Sequence, residues 1–252
     1  MTQRQGDSVE DGSRPELFVF APVFNEEGSI RQVVKEWVDA LRELGISSTF
    51  LVLDDGSTDG TPAILDQLRR EFPELRVLRN SNRGHGPTCT HGYRLAIQSN
   101  AEWIFQIDSD GQCNPSYFPR LWAARTSAEA VFGFRTRRDD GWSRLVISRI
   151  LSSLVLMLTG VWIRDSNVPY RLIHRPLLER VLGGIPEDAR FPNVLLSIAI
   201  ARDTPQVWLP IRFRDRSAGT STVNLGKMAH FARQVYAEVR SFNRSYAKRV
   251  VA

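Results

Sequence analysis

The sequence predicts an α/β fold with a mostly parallel central sheet flanked by helices, and three observations support this prediction. Short apolar runs rich in β-branched and aromatic residues alternate with longer segments of helical periodicity. The connections between these segments are short, as they are in right-handed βαβ units. Three of the apolar runs end in acidic or polar loops, and parallel strands bring such loops to one edge of a sheet. A chain of 252 residues with 42% hydrophobic residues can form one large domain of this kind.

The first half of the chain contains four predicted strands and three predicted helices. The strands are Leu17–Ala21, Thr49–Leu53, Leu75–Leu78 and Trp103–Ile107. The helices are Ser29–Leu44, a segment that begins near Pro62, and a segment that passes through Tyr93, Leu95 and Ile97. Pro62 suits the first turn of a helix, where no backbone N–H is required. The glycine-containing stretch Asn80–Thr88 is predicted to be a loop.

The second half departs from this regular alternation. Its predicted helices are Pro115–Ala124, Leu145–Leu158, Pro176–Leu182, Phe191–Ala201 and Leu225–Val250, and its predicted strands are Ala130–Phe134 and Gln206–Phe213. The polar, basic stretch Asp165–Arg175 is predicted to be a loop. The helix Leu145–Leu158 carries a broad apolar stripe, which is compatible with a core helix and equally with the wall of a lipid groove.

A pair of acidic residues follows the fourth predicted strand. Asp108 and Asp110 stand two residues apart, and at a strand end both carboxylates face the crevice where open α/β sheets bind ligands. Carboxylate oxygens suit Mg²⁺ or Mn²⁺ held against a substrate phosphate. The alternative is an ordinary turn, because Asp, Ser and Gly are common turn residues. The polar pairs Asn25–Glu26 and Asp54–Asp55 follow two other strands, and their convergence on the same edge favours the metal site.

The net charge of +5 is concentrated near the C-terminal end of the sequence. Residues 212–252 contain nine Lys and Arg residues and two acidic residues, a net charge of +7. The basic, amphipathic final helix is typical of a membrane-surface element, although a terminal helix docked on the domain shows the same pattern. The longest uncharged segment, Ile150–Ile163, has 14 residues, fewer than the roughly 20 that a spanning helix requires.

Two further functional classes are disfavoured by the sequence. The basic charge is not accompanied by a recognisable nucleic-acid-binding module, so nucleic-acid binding is not predicted. Cys89 and Cys113 have neither the spacing of a disulfide framework nor that of a metal site, and they are predicted to be free thiols in a reducing compartment.

Four motifs in order resemble those of the family 2 glycosyltransferases of GT-A fold. The motifs are Pro22–Glu27 (PVFNEE), Asp54–Thr61 (DDGSTDGT), Asp108–Gln112 (DSDGQ) and Asp215–Ser221 (DRSAGTS). The most similar branch is that of the dolichol-phosphate mannosyltransferase-like, or polyprenyl-phosphate glycosyltransferase, enzymes. The resemblance implies a Rossmann-like catalytic domain over residues 15–222. It would be preceded by a polar, disordered tail at residues 1–14 and followed by a basic amphipathic helix at residues 223–252.

The resemblance also implies roles for individual residues. The residues expected to bind the nucleotide sugar are Pro22, Asn25, Glu26, Asp54, Asp55, Asp108, Ser109 and Ser221. Those expected to bind the metal are Asp108, Asp110 and Gln112, and those expected to act in catalysis are Asp110, Asp165, Arg171 and Arg216. Gly84 and Gly86 allow close backbone approach to the sugar donor, although a plain loop is the alternative for them. Arginines expected near an acceptor phosphate are Arg135, Arg149 and Arg171.

Three features depart from the family pattern. Thr222 stands where a Lys or Arg is usual, and Pro169 stands where a glycine is usual before Tyr170. The transmembrane hairpins that many relatives carry after the catalytic domain are not seen. The first two departures bear on phosphate and acceptor contacts, and the third bears on how the protein meets a membrane.

The implied reaction is an inverting, metal-dependent transfer of a sugar from a nucleotide-diphosphate sugar, GDP-mannose or a UDP-sugar, to a polyprenyl phosphate. Mg²⁺ or Mn²⁺ is the expected cofactor, and the expected location is cytoplasmic, peripheral on the cytoplasmic face of the membrane. One alternative is transfer to a hydroxyl of a soluble saccharide or natural product, which requires a carboxylate base such as Asp165, Glu187 or Asp188. Another is a catalytically silent protein that binds nucleotide sugars. The sequence predicts no oligomeric state.

Overall fold

A twisted sheet with helices on both faces is formed by the residues that the computed structural model describes, 14–136, 142–214 and 225–251. For residues 142–150, 225–229 and 247–251 the description covers the backbone alone. The strands are β1 (Leu17–Val23), β2 (Ser48–Asp54), β3 (Leu75–Arg79), β4 (Trp103–Ile107), β5 (Ala130–Arg135), β6 (Tyr170–His174) and β7 (Val207–Ile211). The helices are α1 (Ile30–Glu43), α2 (Thr61–Glu71), α3 (His85–Gln98), α4 (Phe118–Ala124), α5 (Trp142–Thr159), α6 (Arg175–Leu182), α7 (Pro192–Asp203) and α8 (Leu225–Val251). A 3₁₀ turn, Pro115–Tyr117, precedes α4.

The strand order across these described residues is β3-β2-β1-β4-β6-β5-β7. The first four strands are parallel to one another, β6 runs antiparallel to both of its neighbours, and β5 and β7 are parallel. Since β6 opposes both β4 and β5, the carboxyl end of β5 lies at the same edge as those of β1, β2 and β4. The predicted mostly parallel sheet is confirmed.

Alternate residues of each strand enter two separate cores. Leu17, Val19 and Ala21 of β1 pack with α1, α2 and α4, whereas Phe18 and Phe20 pack with α3 and with helices α5 to α8. A strand covered on both faces needs apolar residues at every position rather than at every second one. This explains why the strands of the first half appear in the sequence as continuous apolar runs.

Two sequence predictions about loops are wrong. Residues 170–174, predicted as part of a polar loop, form β6, in which Leu172 pairs with Phe105 of β4 and Arg171 pairs with Gln106. The buried arginine hid the strand because a charge breaks the apolar pattern that predicts one. The predicted loop at residues 80–88 is shorter than expected, because α3 already begins at His85. Pro87 stands in its first turn, where a missing N–H costs nothing.

The basic C-terminal helix α8 is docked on the domain by its middle turns. Val235, Val239 and Phe242 are buried in the core shared with α5 and α7. Glu238 accepts hydrogen bonds from the backbone N–H groups of Arg190 and Phe191, at 2.8 and 3.2 Å, just before α7. Burial raises the pKa of this carboxyl, and the two N–H groups act against that rise. The helix is therefore held by both apolar packing and hydrogen bonds.

The remaining parts of the predicted domain organisation are only partly visible. Of the tail predicted to be disordered, residues 1–13 lie outside the described residues, and the domain boundaries stay predictions. Among the helices described, none has the length and apolar character needed to cross a membrane.

Replacing Gly92 by alanine tests the packing of α3 against β1. A Cβ at this position would overlap the ring of Phe20 and would lie 2.9 Å from Cδ1 of Leu53. We expect Gly92→Ala to lower the free energy of unfolding by about 1–3 kcal/mol because both neighbours are fully buried. Urea unfolding followed by circular dichroism measures the change.

Gly183→Ala is the matched control, because Gly183 has a φ of −58° and a Cβ there would meet nothing within 4 Å. Its expected effect is within about 0.5 kcal/mol. A Gly92→Ala protein as stable as the wild type would contradict the close packing described here.

Candidate active site

A cavity of about 380 Å³ lies at the carboxyl edge of the sheet. Its lining comes from the loops that follow β1, β2, β3 and β4 together with the first turn of α3. The lining residues are Pro22, Val23, Phe24, Glu26, Asp55, Asn82, Gly84, His85, Thr88, Asp108, Ser109 and Asp110. The predicted convergence of the three polar loops is therefore observed.

Hydrogen bonds join the loop after β1 to the loop after β2. The backbone N–H of Asn25 donates to Ser57 Oγ at 2.9 Å, and Asn25 Oδ1 accepts from the backbone N–H of Thr58 at 2.8 Å. Asn25 has a left-handed backbone with φ of 55°, a conformation that asparagine tolerates. The backbone N–H of Glu26 donates to Thr61 Oγ1 at 2.8 Å. Asn25 thus shapes the rim, whereas Glu26 lines the cavity itself.

The two carboxylates after β2 have different surroundings. Asp54 accepts a hydrogen bond from the backbone N–H of Ser57 at 2.9 Å and does not line the cavity. Asp55 lines the cavity, and its two oxygens accept from the backbone N–H groups of Arg83 and Gly84 at 2.9 and 2.8 Å. Asp54 therefore orders its own loop, and Asp55 holds the start of α3 against the cavity.

The two glycines of the following loop also differ. Gly84 lines the cavity and has φ of 90°, a backbone conformation that favours glycine. A Cβ on Gly86 would overlap the carbonyl oxygen of Ala189 and lie 2.5 Å from that of Arg190. The backbone that Gly86 approaches is the α6–α7 connection, and its approach to the sugar donor stays a prediction.

One carboxylate oxygen of Asp108 is buried without compensation. Its Oδ1 is buried and has no hydrogen-bond partner among the described residues. Burial raises the pKa of Asp108 to about 6, and the Asp110 carboxylate adds to the rise while His85 opposes it. A buried carboxylate oxygen without a donor is costly unless a cation satisfies it. The residues present therefore fit a hard divalent cation.

The neighbouring residues support the two carboxylates. Ser109 Oγ donates to the carbonyl of Pro22 at 2.8 Å, and the Ser109 carbonyl accepts from Ser29 Oγ at 2.9 Å. Gln112 donates its backbone N–H to Asp110 Oδ1 at 3.1 Å and its side-chain Nε2 to the carbonyl of Arg214 at 3.1 Å. The amide is thus oriented with Nε2 engaged, which leaves Oε1 as the atom of Gln112 suited to a metal.

Across the residues with described side chains, no cluster of three or more His, Cys, Asp and Glu residues is placed to hold a metal. The pair Asp108 and Asp110 therefore does not match a metal site in which the protein supplies every ligand. It matches instead the usual Mg²⁺ arrangement, in which one or two carboxylates share the ion with substrate phosphates.

An ion pair stands at the end of β5. Arg135 Nε and Nη2 donate to the two carboxylate oxygens of Asp165, each at 2.8 Å, and the Asp165 side chain is 8% exposed. Burial disfavours the charge of Arg135, but the bonded Asp165 outweighs it and raises the pKa of the guanidinium. Asp165 is thus engaged by a cation and is not poised as a free base.

Arg171 is fully buried and does not reach the cavity. Its Nε donates to the carbonyl of Val168 at 2.6 Å, Nη2 to that of Ser166 at 2.6 Å, and Nη1 to Ser197 Oγ at 2.8 Å. The guanidinium also lies 4.9 Å from the centre of the Phe132 ring. The donors of Arg171 hold the turn next to Asp165, and its predicted roles in catalysis and acceptor binding stay predictions.

Three predicted site residues are not tested by this geometry. Arg216 and Ser221 lie outside the described residues, and Arg149 lies in a part of α5 where only the backbone is described. Their assignments stay predictions.

Some lining residues were not assigned from the sequence. They include Phe24, which is 45% exposed, and His85. The Cys89 sulfur, 3.5 Å from His85 Nε2, contributes most to raising the pKa of His85 to about 10, and Asp108 and Asp110 contribute further. Phe24 stands within the motif Pro22–Glu27 and His85 within the glycine-containing stretch Asn80–Thr88, and these positions were the available signal.

Arg171→Met tests the role of the buried guanidinium. The substitution leaves the Val168 carbonyl without its Arg171 donor and leaves the Ser166 carbonyl with only Ser197 Oγ at 3.1 Å, so we expect a loss of about 2–5 kcal/mol in the free energy of unfolding. Urea unfolding measures it. Arg31→Met is the control: this arginine is 47% exposed and pairs with Glu71 at the surface, and its loss is expected to cost less than about 1 kcal/mol. Equal stability of the two variants would refute the bracing role.

Comparisons with known proteins agree with this geometry. A family model described as glycosyl transferase family 2 matches residues 18–182. Polyprenol monophosphomannose synthase of Mycolicibacterium smegmatis is 30% identical over 216 residues, which cover 82% of this chain and 80% of that protein. Undecaprenyl-phosphate 4-deoxy-4-formamido-L-arabinose transferase of Proteus mirabilis is 24% identical over 213 residues, covering 83% of this chain and 63% of that longer protein.

Solved structures share the fold at lower identity. Glucosyl-3-phosphoglycerate synthase from Mycobacterium tuberculosis, in complex with Mn²⁺, UDP-glucose and phosphoglyceric acid, has a TM-score of 0.60 at 20% identity, covering 91% of this chain and 80% of that one. Mannosyl-3-phosphoglycerate synthase from Rubrobacter xylanophilus has a TM-score of 0.65 at 14% identity, covering 93% and 75%. The predicted GT-A fold is confirmed, and the chain belongs to glycosyl transferase family 2 and is a glycosyltransferase.

Proposed function

We propose that this glycosyltransferase moves a sugar from a nucleotide-diphosphate sugar to a polyprenyl phosphate, with Mg²⁺ or Mn²⁺ held by Asp108 and Asp110. The observation that carries the proposal is the buried Asp108 Oδ1 without a hydrogen-bond partner among the described residues, at the cavity beside Asp110. The named activities of the polyprenol and undecaprenyl-phosphate relatives support the class of acceptor.

The cavity supports the assignment of the sugar donor. Glu26, Asp55 and Gly84 line the part of it formed by the loops after β1, β2 and β3, where the nucleotide is proposed to bind. When bound, a divalent cation neutralises charge that develops on a departing diphosphate. The chain's own contribution is to hold Asp108 and Asp110 in place through the hydrogen bonds of Ser109 and Gln112. Arg216 is proposed to add positive charge at the same point.

The ion pair at β5 supports a phosphate acceptor. Arg135 donates Nε and Nη2 to Asp165 and keeps Nη1 for an acceptor phosphate, an anion that a guanidinium recognises as readily as a carboxylate. A phosphate acceptor is already an anion and needs no strong base. A hydroxyl acceptor would need one, yet Asp165 is engaged by Arg135, and Glu187 is 70% exposed and lies 3.5 Å from Arg94. The geometry therefore favours the lipid phosphate over a soluble hydroxyl.

An exposed apolar patch supports peripheral contact with a membrane. Leu156, Met157 and Trp162 are 38%, 76% and 63% exposed. Trp162 is three residues from Asp165, so the two Cα atoms are at most about 11 Å apart. The exposed Arg164 lies between them in the sequence. We propose that the patch contacts the cytoplasmic face of a membrane. The phosphate of a polyprenyl phosphate embedded in that membrane would then lie close to Arg135.

The reaction itself is tested with Mn²⁺, labelled nucleotide sugars and polyprenyl phosphate. We expect a product that partitions into organic solvent, and we expect Asp110→Asn to reduce its formation at least about 100-fold because a metal-binding charge is lost. The variant should also lose thermal stabilisation by Mn²⁺ with nucleotide. Asp39→Asn, at an exposed pair with Lys35 on α1, is the control and should keep full activity.

Transfer to soluble acceptors alone would overturn the lipid acceptor. Nucleotide binding without any transfer would favour a silent binding protein, and undiminished activity of Asp110→Asn would remove the proposed metal site.

The membrane patch is tested by flotation with vesicles that contain phosphatidylglycerol. We expect the double variant Met157→Ser, Trp162→Ser to bind about tenfold more weakly, because two apolar side chains no longer enter the interface. Leu44→Ser is the control, since Leu44 is 37% exposed at the opposite edge of the sheet. Equal flotation of the double variant and the wild type would contradict a role for the patch.

A further inference from the structure

We propose that His85 binds the diphosphate of the sugar donor through its Nδ1–H, held in position by a buried chain of hydrogen bonds that passes through Cys89. This inference rests on the proposed function, because it concerns the same cavity and a nucleotide-diphosphate ligand. It assigns a ligand-binding role to a residue that neither the predicted metal site nor the predicted nucleotide contacts include.

The chemistry of the cavity calls for such a group. The described lining residues include four acids, Glu26, Asp55, Asp108 and Asp110, and His85 is the basic side chain among them. A diphosphate placed beside these carboxylates meets unfavourable negative potential, which a bound cation offsets only in part. A hydrogen-bond donor on the opposite side of the phosphates lowers that cost. His85 is exposed to the cavity and has the only ionisable basic group in this described lining.

Buried hydrogen bonds fix the orientation of the His85 ring. Tyr93 Oη donates to Gln106 Oε1 at 2.5 Å, so Gln106 presents its amide nitrogen, Nε2, to the Cys89 sulfur at 3.5 Å. The sulfur lies 3.5 Å from His85 Nε2. Tyr93, Gln106 and Cys89 are each 0% exposed, so these hydrogen bonds are closed to solvent and have few alternative arrangements.

These contacts determine which nitrogen of the imidazole faces the cavity. The Cys89 sulfur accepts from Gln106 and lies 3.5 Å from His85 Nε2, where it donates to a neutral ring or accepts from a protonated one, so Nδ1 is the nitrogen left for the cavity. An imidazole that accepts at Nε2 carries hydrogen on Nδ1, and the doubly protonated ring carries it there as well. Within the described residues Nδ1 makes no hydrogen bond of its own. The chain therefore supplies an oriented donor at the cavity wall.

The position of His85 in α3 adds to the same effect. It is the first residue of the helix, and Gly84, His85 and Thr88 all line the cavity, so the first turn borders the proposed phosphate position. The amino end of a helix carries partial positive charge. Asp55 occupies the N–H groups of Arg83 and Gly84 and thereby anchors the turn. The imidazole is then the side chain best placed to extend from this turn toward an anion.

Calorimetric titration with Mn²⁺ and UDP or GDP tests the proposal, with the matching nucleosides, uridine and guanosine, as reference ligands. We expect His85→Leu to weaken binding of the diphosphate about 10- to 100-fold, because a hydrogen bond to a charged group is lost. Binding of the nucleoside should change by less than about twofold. His85→Asn keeps an N–H donor and should recover part of the loss.

Three further variants separate binding from fold. His91→Leu lies on the same helix away from the cavity lining and should bind the diphosphate like the wild type. Cys89→Ala removes the anchor of the ring and should produce a loss smaller than that of His85→Leu, whereas Cys89→Ser keeps a donor and should restore affinity. Thermal unfolding without nucleotide shows whether each variant remains folded.

The outcomes distinguish this inference from the proposed function. Equal diphosphate affinity of His85→Leu, His85→Asn and wild type would overturn the role of His85 alone. An equal loss for nucleoside and diphosphate would also overturn it, because the contact would then lie at the nucleoside. A wild-type protein that binds neither UDP nor GDP would overturn both the inference and the proposed sugar donor.

Discussion

The placement of β6 between β4 and β5 is the constraint on which the geometry of the site depends. It separates the carboxylates after β4 from the arginine at the end of β5 by two inter-strand spacings, about 10 Å. Because β6 is antiparallel to both neighbours, it leaves β4 and β5 pointing the same way. The predicted metal carboxylates and the predicted acceptor arginine thus share one edge with room for a diphosphate and a sugar between them.

Because β6 lies in the interior of the sheet, its side chains are buried, including the charged side chain of Arg171. The guanidinium is stabilised by two carbonyl groups and a hydroxyl rather than by a carboxylate. Those carbonyls belong to the turn that carries Asp165, which in turn pairs with Arg135. The buried charge therefore acts on the site through the backbone, and the partly buried Arg135 that it helps to position is the arginine proposed to meet the acceptor phosphate.

The sequence predicted most accurately the strands that are buried on both faces of the sheet. Trp103–Ile107 was predicted with its observed bounds because both faces of β4 are covered and every residue is apolar or buried. The acidic loops were predicted correctly because parallel topology alone brings them together. The contacts of Arg171 were not predicted because its acceptors include Ser197, 26 residues away, and no local pattern reveals such a contact. The contacts of Gly86 were missed for the same reason, since its neighbours lie on the α6–α7 connection.

Helix α8 has two faces under different constraints. Val235, Glu238 and Val239 are tied to the core and to the backbone before α7, the same connection that Gly86 approaches beside the cavity. Arg233 and Arg240 face solvent. Substitutions on the outer face can therefore change the charge of the helix while the inner face keeps the cavity wall unchanged. Over evolutionary time, the charge of this outer face can diversify independently of the residues that line the cavity.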